Sequence, residues 1–88
     1  MREFGPNAPD AGSDEFERWM EATPEGYFVN LTGPQTGRLH RATCPHMKFG
    51  ERVNLVSRRK WASDSRTELE ARARRERIKL RPCADCSV

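Results

Sequence analysis

Two short clusters, His40-x3-Cys44 and Cys83-x2-Cys86, hold all three cysteines of this chain and constrain its fold more than any other feature. Zinc in a structural site takes four nitrogen or sulfur ligands in a tetrahedron, and two ligand pairs separated by a folded element let one ion clamp both ends of that element. Pro45 follows Cys44 and Pro82 precedes Cys83, which stiffens the backbone beside the clusters. The spacing predicts a structural Zn2+ held by His40, Cys44, Cys83 and Cys86. His46 is the alternative nitrogen ligand, but Cys44-x1-His46 is the tighter chelate, and His40 is preferred. An odd number of cysteines does not fit a disulfide framework. A redox Cys-x2-Cys is expected at the start of a helix after a strand, whereas Cys86 stands two residues before Val88.

A staple is needed because the core must be thin. The 88 residues are 35% hydrophobic and 33% charged, with four Phe, two Trp and one Tyr, enough for one small domain and no second core. Mean hydropathy is -0.90, and no apolar run approaches the roughly 18 to 20 residues that cross a bilayer. The acidic start after Met1 does not read as a signal peptide, so a reducing, cytoplasmic setting is expected.

The net charge of +3 conceals an asymmetry. Residues 1–26 carry two basic and seven acidic side chains, and residues 27–88 carry fourteen basic and six acidic ones. Arginine outnumbers lysine thirteen to three, which suits phosphate because a planar guanidinium bonds two oxygens at once; a GC-rich genome is the plain alternative. A basic body attracts nucleic acid or an acidic partner without specifying which.

Along the chain, residues 1–12 carry two Pro and two Gly with few large apolar groups and read as a mobile acidic leader. Residues 13–24 offer an N-cap, an acidic first turn, and Phe16, Trp19 and Met20 at helical spacing before Pro24, which predicts a short amphipathic helix over about 14–22. Residues 25–88 form the expected zinc domain. In it Gly26–Thr32 and Arg38–Ala42, joined through Gly33, Pro34 and Gly37, predict a β-hairpin, while Val53–Val56 and Lys60–Ala62 fit short strands. Ser65 and Glu68 stand in capping-box spacing at the head of the main helix. Ala62, Leu69, Ala73 and Leu80 project to its buried side, and Glu68 with Arg72 and Glu70 with Arg74 are expected to pair on the solvated side.

The order His40, Cys44, then Cys83 and Cys86, with Tyr27 and Phe28 ahead, resembles small zinc modules of the Ada-type metal-binding and treble-clef-like class attached to bacterial DNA-handling proteins. The resemblance implies a zinc-built hairpin and helix over residues 26–86 with DNA or protein binding as its task. His40 stands where Ada modules have a fourth cysteine, which argues against methyl-acceptor chemistry. Pro82-Cys83-x2-Cys86 also echoes the zinc deaminase signature, but Ala42 occupies the position of the proton-shuttling Glu and Cys44 would close the metal to water.

The resulting expectation is a small zinc-stabilised α+β domain with a β-hairpin and one main helix, preceded by a short helix, and without enzymatic activity. Nucleic acid, DNA first, is the expected partner, through Arg38, Arg41, Arg58, Arg59, Lys60, Arg74 and Arg75; Trp61 beside them could stack on bases, but burial in the core is the preferred reading for it. The alternative is an interaction adaptor that presents Phe16 and Trp19 to another protein while the basic face meets an acidic partner.

Overall fold

The aromatic and β-branched run that starts at Tyr27 forms the expected hairpin. β2 (Tyr27–Gly33) pairs antiparallel with β3 (Thr36–Arg41), from Tyr27 opposite Arg41 to Gly33 opposite Thr36, with a bulge between Leu31 and Gly33. The computed structural model describes residues 1–5, 13–43 and 59–83. Cys44, His46, Val53–Val56, Arg58 and Cys86 lie outside the described residues, as do positions 6–12 of the expected leader. Around the hairpin stand β1 (Arg2–Phe4), α1 (Ser13–Ala22), β4 (Lys60–Ser63), α2 (Arg66–Arg75) and β5 (Lys79–Pro82). The five strands make one sheet in the order β1-β4-β2-β3-β5.

Neighbouring strands are antiparallel except β3 and β5, which are parallel. It follows that β1 runs parallel to β2, and β4 parallel to β5, each pair joined through one helix. Both connections step in the same direction across the sheet, while β1 and β4 point opposite ways. For both crossovers to take the usual right hand, their helices must lie on opposite faces. The two cores agree with that rule. On one face α1 sets Phe16, Trp19 and Met20 against Phe4, Phe28, Ala42 and Ala62. On the other α2 sets Leu69 and Ala73 against Val29, Leu39 and Trp61, with Tyr27, Leu31, Ile78 and Leu80 at its margin. A sheet covered on both faces buries consecutive residues of a strand. That is why Lys60, Trp61, Ala62 and Ser63 are all buried.

Several sequence expectations are refined here. Residues 2–4 do not belong to a mobile leader: they pair with β4, Arg2 opposite Ala62 and Phe4 opposite Lys60, and Phe4 is fully buried. Its ring meets Phe16 at 5.1 Å, and Phe16 meets Phe28 edge-on at the same distance. The helix cap at Ser65 is present, since Ser65 Oγ accepts from the Glu68 amide, but Glu68 does not return directly to the Ser65 amide. Ser63 relays the bond, accepting from the Ser65 N–H and donating to Glu68 Oε1. Leu69 and Ala73 are the buried helix positions, whereas Ala62 faces the opposite core. Arg72 pairs with Glu76 rather than Glu68, and Glu70 pairs with Arg66 rather than Arg74.

α2 closes in a Schellman geometry, with the Ile78 amide donating to Ala73 and the Arg77 amide to Arg74. Arg77 takes the left-handed conformation, φ 58°, that glycine adopts without strain. The tight exit turns the chain at once into β5 and seats Ile78 on the second core.

The burial of Phe4 carries a measurable consequence. Replacing Phe4 with Ala is expected to lower stability to urea by about 3 to 5 kcal/mol, the usual cost of emptying a buried phenyl site. A change below about 1 kcal/mol would show that residues 2–4 contribute no core.

Candidate functional site

β3 and β5 position the part of the expected metal site that is described. The amide of Lys79 donates to Gln35 O and the amide of Cys83 to Leu39 O, each at 2.8 Å. In a parallel ladder that pattern sets Lys79 opposite Thr36 and continues the register to Cys83 opposite His40. Because facing residues of adjacent strands project to one side, His40 and Cys83 leave the α1-bearing face together, on strands about 4.8 Å apart. Both are buried. The His40 ring stacks on Phe28, its partner across β2 and β3, with centroids 4.8 Å apart and planes 17° from parallel.

Parallel pairing matters for the remaining expected ligands. The chain leaves β3 and β5 at the same end of the sheet, so residues following His40 and residues following Cys83 start from adjacent points. Cys44 comes four residues after His40, and Cys86 three after Cys83. An antiparallel β5 would have sent the two clusters to opposite ends. Gly37 allows the strands to close up, since a Cβ there would stand 2.8 Å from Val29 Cγ1 and 3.2 Å from Leu80 Cδ2. Among the described residues no group of three or more His, Cys, Asp or Glu is gathered as for a metal, and two of the four expected ligands fall outside that set.

The expected nucleic-acid residues divide between the two faces. Arg38 is exposed on the α1-bearing face, opposite Arg81 in register. Arg41 lies opposite Tyr27, its guanidinium 5.9 Å from the ring centre, and Arg74 and Arg75 are exposed in the last turn of α2. Arg59 bonds Glu3 at 3.1 Å. Lys60 is not a surface cation: it is 2% exposed, donates to Asn30 Oδ1 at 3.1 Å and stands 5.7 Å from the Phe16 ring centre. Trp61, for which core burial is the preferred reading over base stacking, is indeed in the core, equally buried beneath the Arg72 guanidinium, 4.3 Å from its ring centre. Sheet alternation with a helix on each face accounts for both positions.

No local spacing signals the network around Arg72. This guanidinium bonds Glu76 at 2.6 Å and also Glu3, which in turn receives Arg59, so the edge strand, β4 and α2 are joined through one carboxylate. Partial burial pushes the Glu3 carboxyl up, but the hydrogen bonds and charges of Arg72 and Arg59 outweigh it and hold the group below the usual carboxylate range.

No family model, curated protein or solved structure matches this chain in comparisons of sequence and fold. No helix among the described residues is long and apolar enough to cross a membrane.

The lowered Glu3 carboxyl sets a direction for acid unfolding. A group whose folded pKa lies below its unfolded one contributes fully above the unfolded value and loses that contribution as pH falls through the folded value. Replacing Glu3 with Gln is therefore expected to cost about 1 kcal/mol at neutral pH, allowing for solvent screening, and to flatten the acid limb of stability against pH. An unchanged acid limb would show that Glu3 is not the coupling carboxylate.

Proposed function

We propose that the chain is a non-enzymatic binding module, stapled by one structural Zn2+ at His40, Cys44, Cys83 and Cys86, whose basic body binds nucleic acid, with DNA the first choice. The observation that carries the zinc reading is the register of β3 and β5, in which two expected ligands from clusters far apart in sequence stand opposite each other on one face. Thiolates and imidazole are the donors zinc prefers, and closure of the shell by four protein ligands leaves the ion no position for a reacting water. β5 has four residues, and a metal bond would hold it where a short parallel pairing is weak.

The binding half of the reading rests on charge. Arg38, Arg41, Arg74 and Arg75 are exposed on a body whose net charge is positive, and Arg58 adds to the same sign in sequence. Arg59 and Lys60, bonded to Glu3 and Asn30, serve the fold. The adaptor alternative asked Phe16 and Trp19 to meet a partner, yet both are buried in the first core. Met1 is the exposed large hydrophobic side chain among the described residues. Cations rather than apolar groups are what this surface offers.

Metal analysis of the purified chain is expected to return about one zinc per molecule, and Cys83→Ser to lose the metal and the pairing of β5 together. His40→Ala should weaken metal binding strongly and His46→Ala should leave it intact. A metal-free protein as stable as the zinc-treated one would overturn the staple, and absence of binding to any oligonucleotide at low salt would overturn the nucleic-acid reading.

A further inference from the structure

The α1-bearing face of the sheet is only partly covered. Across the strands its residues form successive rows: Arg2, Ala62, Phe28 and His40; then Phe4, Lys60, Asn30, Arg38 and Arg81; then Thr36 and Lys79. The apolar stripe of α1 lies over Phe4, Phe28 and Ala62. Beyond it Arg38, Arg81, Thr36 and Lys79 are exposed.

This open corner gathers positive charge with nothing opposing it among the described residues. Arg38 and Arg81 face each other on adjacent strands, a like-charge placement that weakens a sheet when no anion lies between. Lys79 is two residues before Arg81 on the same side, about 6.6 Å along the strand. Among the described residues no carboxylate bonds any of the three, whereas Arg59, Arg66 and Arg72 are engaged by Glu3, Glu70 and Glu76. At the rim the Thr32 and Thr36 hydroxyls stand 3.0 Å apart. Phe4, Phe16, Trp19 and Phe28 are buried under α1, while Trp61 belongs to the other core.

We propose that Arg38, Lys79 and Arg81 form the nucleic-acid site and bind the phosphate backbone alone, without base stacking. This rests on the nucleic-acid reading above and specifies its surface: the corner of β3 and β5, not the Arg-rich helix α2. Backbone binding without stacking predicts steep salt dependence with little preference for base composition.

The test titrates the full zinc-loaded chain with oligo-dT, oligo-dA and a mixed-sequence duplex over about 50 to 200 mM salt. Arg38→Gln with Arg81→Gln is expected to lower affinity at least tenfold and to flatten the duplex salt slope by about two units, one per lost phosphate contact, with zinc content unchanged. Arg74→Gln with Arg75→Gln should flatten the slope by less than the strand variant does, and oligo-dT and oligo-dA should bind alike. Loss of slope in the helix variant with retention in the strand variant would overturn the site and leave the nucleic-acid reading standing. A strong preference between oligo-dT and oligo-dA would overturn backbone-only binding. No binding by the parent would overturn both readings.

Discussion

The parallel pairing of β5 with β3 is the contact on which the rest of the account depends. Among the described residues it is the one parallel junction in an otherwise antiparallel sheet, and it rests on few residues. Its ladder sets Cys83 beside His40 and Arg81 beside Arg38. The same register therefore assembles two expected metal ligands and, one row away, two guanidiniums that no carboxylate bonds among the described residues. The proposed metal staple and the cationic corner share this backbone geometry, so a metal bond that fixed β5 would also fix the charges it carries.

Two devices hold the remaining layers. A chain of aromatic contacts from Phe4 through Phe16 to Phe28 and then His40 runs under α1. On the opposite face Glu3 ties the edge strand to Arg72 of α2 and to Arg59 beside β4. A three-residue strand has little stability of its own. Here β1 is retained by one buried ring on one side and one shared carboxylate on the other, both supplied by alternation along Arg2–Phe4.

Much of the fold was legible because its signals are local. The hairpin followed from aromatic and β-branched runs around Gly33 and Pro34, α1 from the spacing of Phe16, Trp19 and Met20, and α2 from Ser65 with Glu68. β1 was not, because its partners Lys60–Ala62 lie far along the chain and its neighbours are Gly and Pro. The run Arg58, Arg59, Lys60 reads as a nucleic-acid patch in isolation, beside a Trp61 preferred as core. Once helices cover both faces, strand alternation buries Lys60 and Trp61. The two His/Cys clusters were visible as spacing, but that the chain leaves β3 and β5 at one end of the sheet depends on the parallel sense of β5, which no local pattern encodes. Arg81 and Lys79 gained meaning for the same reason: in sequence they trail a helix, and in the fold they stand beside Arg38 and Thr36.

X-ray absorption at the zinc edge of the purified 88-residue chain tests the central claim most directly, because it reads the ligand shell itself. Four-coordinate zinc with three sulfurs at about 2.3 Å and one nitrogen at about 2.0 to 2.1 Å is predicted from Cys44, Cys83, Cys86 and one histidine. A shell of oxygen and nitrogen without sulfur, or a protein that retains no zinc, would contradict the account.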